Sequence, residues 1–439
     1  MRRPICSKAI VILGATLLLS QGVPSIANAQ LFFRGRSSGR YSQPANRSSQ
    51  PKPHVQPTLA QQPVTVAELD EVLATAIEKQ SKQWDTDDSR SPWGVMHNVL
   101  AWGVEGEILV DGKARNSITC LCENRTLKTV QMLRVEDGKL VPQEGPGLQG
   151  HPGQFLAVLA QNRIANQQPI LVGEHSFTVD DLIEYEKQSC KSSVELTFKL
   201  LSLCHYCGTE ATWKNAAGED WSIERLLKEE LGQPINRVTC GGTHRLMAIG
   251  LAVLKRKAED QPLEGVWKSA ATYLEDYHEY AFSLFNPDGS FSTEWFERRA
   301  AAQDPQKRIQ TGGHVLEWLV VTLPEEALTS SRMQRSMNYL GQLIQLDIGE
   351  PWAVGPKAHA IRAMRLYRQR VPVPAEEHLA QRDPEDHPQN VAGDLEVTHT
   401  VPAQNSSEVA QKQATTSETE QEEYGIRSVL EVWDEHKHR

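Results

Sequence analysis

The chain has 439 residues, 39% of them hydrophobic and 23% charged, with a net charge of −10 and a mean hydropathy of −0.46. It is too polar for a multi-span membrane protein and too long for one small domain. An acidic chain also lacks the basic face that phosphate contacts need, which excludes nucleic acid as the expected partner.

In chain order, residues 1–29 read as an export signal. Arg2 and Arg3 precede an apolar run from Ala9 to Leu19, and Ala27-Asn28-Ala29 fits a cleavage site. The run is too short to span a bilayer, and no transmembrane segment is expected after it. The expected localisation is the periplasm or the extracellular space. Residues 30–63 carry five bases and no acid, have no hydrophobic period, and read as a disordered basic linker. Residues 373–439, with fifteen acids against five bases, read as a disordered acidic tail. Within that tail, 424–436 has apolar residues at helical spacing and reads as a short docking helix or as more solvated tail.

The segment 64–372 carries an internal repeat. Six near-continuous apolar stretches follow polar or glycine-rich entries, each with a marker residue: His97, His151, Glu195, His244, His314 and His359. Between them lie amphipathic helices, including 64–79, 179–187, 223–231, 266–282 and 333–344. A half-exposed helix alternating with an apolar one about every 50 residues is a helical-hairpin repeat. The expected fold class is therefore all-α, an (α/α)6 toroid of helical hairpins forming one domain. Asp111-Gly112 and Asp137-Gly138 predict small β-hairpin insertions, and 285–296 predicts a loop with a short strand pair.

The repeat, together with Asp288-Gly-Ser-Phe291 and Trp295, resembles the α/α-toroid superfamily of terpenoid cyclases and protein prenyltransferases. The core also looks like a family of predicted secreted bacterial proteins without an established activity. The first resemblance implies a barrel with a central cavity. The second implies no catalytic residue.

If the six markers occupy equivalent helical turns, they ring one mouth. Imidazoles and a carboxylate gathered there suit general acid–base work. His244, His314, Glu317 and Glu195 are the candidate catalytic residues. His97, His151, Arg245, His359, Trp318 and Gln154 are the candidate substrate-binding residues. A polar belt that only ties helices together is the competing reading of the same histidines. No metal ligand is assigned and no cofactor is identified. The six cysteines after Cys6 read as buried thiols or one or two disulfides rather than a metal site. Asp85-Thr86-Asp87-Asp88 matches the D-x-D-D motif of class II terpene cyclases, but a solvated acidic loop explains it better.

Three functions are therefore expected in order: a toroid that binds or acts on a glycan or cell-envelope ligand, in the manner of a polysaccharide lyase, epimerase or hydrolase; a non-catalytic envelope module; and a terpenoid-cyclase-like enzyme. The first rests on fold analogy.

Overall fold

The computed structural model describes residues 64–373 except Arg237, and also not the side chain of Thr239. The chain divides into two units, Met1–Pro57 and Thr58–Arg439, and every described residue belongs to the second. The expected signal peptide, the basic linker and the tail from 374 onward, including 424–436, lie outside the described residues.

The described residues are mainly helical, with four two-stranded antiparallel sheets. Among them, α1 (Val66–Ser81) leads to α2 (Pro92–Trp102), hairpin β1 (Glu107–Val110) and β2 (Lys113–Asn116), and α3 (Ser117–Cys122). Hairpin β3 (Leu133–Glu136) and β4 (Lys139–Pro142) precedes α4 (Gln154–Gln161). Then come β5 (Pro169–Val172), β6 (His175–Thr178), α5 (Val179–Gln188), α6 (Thr197–Cys207), β7 (Thr212–Lys214), β8 (Asp220–Ser222) and α7 (Ile223–Leu231). The remaining named elements are helices: α8 (Thr243–Ala258), α9 (Val266–Ser283), α10 (Pro305–Thr322), α11 (Glu325–Leu328), α12 (Ser331–Ile344) and α13 (Val354–Arg370).

Six apolar helices pack in a closed circuit. α2 meets α4, α4 meets α6, α6 meets α8, α8 meets α10, α10 meets α13, and α13 returns to α2. These helices are buried on most faces; in α4 every residue but Gln161 is buried. The amphipathic helices cover them. α5 lies against α4 and α6, α7 against α6 and α8, and α12 against α10 and α13. In α7 the buried stripe is Ile223, Leu226, Leu227 and Glu230, the 3.6-residue spacing of a half-buried helix.

The hairpins at Asp111-Gly112 and Asp137-Gly138 form as expected, because Asp and Gly accept the positive φ of the two-residue turns. Two further hairpins, β5–β6 and β7–β8, complete a finer repeat. In three units a hairpin ends on a helix-capping residue, Asn116, Thr178 or Ser222, and the covering helix starts at the next position. Asn116 Oδ1 and Ser222 Oγ accept from the free N–H groups of Thr119 and Arg225, worth about 1 kcal/mol each, while Thr178 gives its N–H and hydroxyl to the Asp181 carboxylate. The region 285–296 forms turns, with a single bridge between Glu294 and Arg298 rather than a strand pair.

α10 begins two turns before the Gly312-Gly313 entry that the sequence suggested. Asp304 caps it through Gln306 N and Pro305 takes its first turn. The glycines are inside the helix for a packing reason. A Cβ on Gly313 would stand 2.9 Å from the Ala360 backbone nitrogen, so α10 and α13 approach at backbone distance. The Asp288-Gly289 turn is a clamp onto α12. Gly289 takes φ +91°, its carbonyl accepts from Ser336 Oγ, and Asp288 pairs with Arg308 at 2.8 Å. Burial opposes ionisation of Asp288, but hydrogen bonds from Ser290 and Arg308 hold its carboxyl below the usual range.

Candidate functional site

The closed circuit brings all five marker histidines together. The ring centroids of His314 and His359 are 3.7 Å apart, held close by the Gly313 approach. His244 lies 5.2 Å from His359, 5.3 Å from His314 and 5.8 Å from His151. His97 joins through His359 at 5.7 Å. Glu195, the sixth marker, meets His151 Nδ1 at 2.9 Å. The markers do not occupy equivalent turns, however. His151 and Glu195 precede their helices, His244 is the second residue of α8, and His97, His314 and His359 stand a turn or more inside theirs.

Four of the five imidazoles, those of His97, His151, His314 and His359, are oriented by an oxygen at Nδ1. His97 Nδ1 donates to the Trp93 carbonyl and His314 Nδ1 to the Gln310 carbonyl, both at 2.7 Å. A carbonyl can only accept, so Nδ1 carries the proton and Nε2 keeps its lone pair. His359 Nδ1 meets Glu317 Oε2 at 2.5 Å, a carboxylate–imidazole pair. His244 is the exception. Both its ring nitrogens are buried, and neither has a hydrogen-bond partner among the described residues. A neutral imidazole must carry one N–H, and leaving that donor unpaired costs about 1–3 kcal/mol.

Burial makes this a centre of neutral imidazoles. It pushes His97 down to about 4 and His244, His314 and His359 well below their ordinary value, with neighbouring imidazoles adding to the shift in all four. Burial also raises the Glu317 carboxyl, against the attraction of Arg362, whose Nε lies 2.9 Å from Glu317 Oε1. Burial lowers Arg362 in turn, with Glu317 opposing.

Two cavities adjoin the centre. A narrow one of about 30 Å³ is lined by His97, His244, Glu317, His359 and Gln154 among others. A larger one of about 630 Å³ lies at the C-terminal ends of α2, α4, α10 and α13, and shares Leu100, Gln161 and Met247 with the narrow one. Its charged lining is Arg163, Arg362, Arg365 and Arg370 against Glu105. Arg370 donates to the Val320 and Leu323 carbonyls and Arg365 to Ala101 O at 2.7 Å, contacts that fix the side chains without cancelling their charge.

The other candidates separate from the centre. Arg245 Nε donates to Glu230 at 2.9 Å, and Glu230 also accepts from Leu196 N and Thr197 Oγ1. That buried pair ties α7, α6 and α8 together, and Arg362, not Arg245, neutralises Glu317. Trp318 is fully buried against His278 and Phe296 and lines neither cavity. Trp93 packs on His97 at 4.0 Å, while Trp102 lines the large cavity. Asp85 pairs with Arg90 at 2.7 Å, and Asp85, Asp87 and Asp88 line neither cavity.

Arg362, Arg365 and Trp295 join the site although none was a candidate site residue. Arg362 and Arg365 were legible as cations inside the apolar α13 stretch. Trp295 stands at 5.7 Å from His314 and covers Gly241, where a Cβ would collide with its ring. The six described cysteines are free thiols. Cys240, His244 and His314 offer ligand atoms that all lie within 4.8 Å of one another, a donor set able to hold a metal ion. No protein-family model, curated protein or solved structure matches the chain.

Proposed function

We propose that residues 64–372 form an (α/α)6 toroid, and that this exported protein binds and acts on an acidic glycan in the cavity of about 630 Å³. The closed packing circuit of six apolar helices, each with covering helices, supports the toroid. The basic, apolar and Ala-x-Ala pattern of 1–29 supports export.

The observation that carries the ligand class is the position of Arg362. It lines the large cavity and also lies 2.9 Å from Glu317, which is bonded to His359. A sugar carboxylate drawn to Arg362 and Arg365 is thereby delivered beside a carboxyl–imidazole pair suited to proton transfer. With Arg362 paired to Glu317, three further arginines against Glu105 still favour an anion, and Trp102 offers a face for a sugar ring.

The second reading, a non-catalytic envelope module, is favoured by Trp295, which covers Gly241 beside the histidines. The cyclase reading has no such support, since the acidic motif lines neither cavity. Calorimetric titration of the full chain with uronate-containing and neutral oligosaccharides tests the proposal. Tight binding of the acidic set, weakened about tenfold or more in Arg365→Gln, is expected. Equal indifference to both sets in folded protein overturns it. Binding with no chemical change to the glycan selects the second reading.

A further inference from the structure

We propose that Cys240, His244 and His314 bind one zinc-class divalent cation, making a metal centre at the heart of the histidine cluster.

Two independent observations meet at this point. The first is the donor set: one thiol and two imidazoles whose ligand atoms lie within 4.8 Å of one another. Zinc takes sulfur at about 2.3 Å and imidazole nitrogen at about 2.0–2.1 Å, so small side-chain rotations bring the three to bonding distance. The second is His244, whose two buried ring nitrogens have no partner among the described residues. A cation supplies the missing partner for one of them.

The backbone is shaped for the purpose. Cys240, Gly241 and Gly242 all take left-handed conformations, with φ of 52°, 59° and 80°. This run reverses the chain just before α8, so Cys240 and His244 share one short turn despite the three residues between them. A cysteine in that conformation is strained, and strained residues gather at functional sites.

His314 is already set as a ligand. Its Nδ1–H is given to the Gln310 carbonyl, which orients the ring and leaves Nε2 for a metal. Burial, joined by Glu195 and Glu317, pushes the Cys240 thiol up to about 12, so the metal itself must displace the thiol proton. On binding, the Cys240 thiol releases its proton to solvent and each histidine gives a lone pair, so no further reactant is needed. Three protein ligands leave a fourth position for water or a ligand group, the pattern of catalytic rather than structural zinc.

The test uses full-length protein stripped with chelator and titrated with zinc alone. Its readout contains no glycan, so it fails or succeeds independently of the function proposed above. One ion per chain is expected, read by elemental mass spectrometry and by competition with a chromophoric chelator. Cys240→Ser and His244→Ala should each weaken zinc binding by at least about a hundredfold, while Cys207→Ser leaves it unchanged. Cobalt substitution should give a thiolate-to-metal charge-transfer band that Cys240→Ser removes. Absence of a stoichiometric ion in excess zinc overturns the proposal, as do folded ligand variants that bind zinc like the parent. Should a variant misfold, the cobalt spectrum of the parent decides, since no thiolate band means no such site.

Discussion

Gly313 stands where its missing side chain lets α10 meet the backbone of Ala360, and the next residue, His314, is thereby stacked 3.7 Å from the ring of His359. Packing and site are coupled at this contact. A Cβ at 313 would lie 2.9 Å from Ala360 N, and backbone cannot step aside as a flexible side chain can. Gly313→Ala should therefore destabilise the protein by about 1–3 kcal/mol despite the better helix propensity of alanine. Urea unfolding measures this. An unchanged midpoint would mean that the two helices are not in backbone contact.

Glu317 and Arg362 form a buried ion pair beside His359. Removing one partner leaves the other charge buried without compensation. Glu317→Gln should cost about 3 kcal/mol and abolish turnover. The double variant Glu317→Gln, Arg362→Met should recover much of that stability but none of the activity. A double-mutant cycle with no coupling energy would sink the pairing.

Five described histidines have folded-state values below the ordinary 6.5, among them His97 and His278, both at about 4. Burial is the leading cause in each, and His278 donates from Nε2 to Thr322 Oγ1, which itself donates to Trp318 O. The unfolded chain binds more protons than the folded one between pH 6.5 and 4. Stability should therefore fall as pH drops through that window, by about 1.4 kcal/mol per pH unit for each such histidine. His278→Gln should make the fall shallower by up to one proton. Unfolding free energies at pH 7, 5.5 and 4.5 provide the check, and parallel slopes for parent and variant would contradict it.

A His or Glu marker in each apolar stretch made the convergence of the five histidines legible, because apolar helices closing one circuit turn their few polar residues toward its interior even though neither the spacing nor the helical turn is the same. The Asp-Gly hairpins were legible for a local reason, the positive φ of a two-residue turn. Helix starts were not. Gly312-Gly313 resembles an entry loop in sequence, yet it lies mid-helix because α13 needs the space. The pairing of Glu317 with Arg362 depends on which helices are neighbours, and so does the burial of Trp318 away from the cavity. Cys240 was hidden because it lies before α8, and the left-handed turn through Gly241 and Gly242 that brings it near His244 is not specified by sequence spacing. Its third companion, His314, is distant in sequence. The hairpin repeat before α3, α5 and α7 did leave a signal: strand, turn, strand, then Asn, Thr or Ser followed by a β-branched or small residue.

The acidic motif offers a clean negative. Asp87 donates its backbone N–H to Leu109 O and its carbonyl accepts from Lys128 N–H, while its side chain lines neither cavity. Asp87→Asn should change stability by under about 0.5 kcal/mol and leave glycan binding untouched. Loss of activity in that variant, with folding intact, would restore the cyclase reading.

The central claim is that the buried histidines form a site and not a belt that holds the fold together. His244 decides between them, since its two ring nitrogens are buried and unpartnered among the described residues. In a site, such a group lowers stability for the sake of function. The unfolding free energy of His244→Leu in the presence of chelator is the most direct measurement. A value within about 1 kcal/mol of the parent, or above it, is predicted, because an unpaired donor is exchanged for an apolar side chain of similar volume. A loss of more than about 2 kcal/mol would show that the imidazole supports the fold, and would contradict the account.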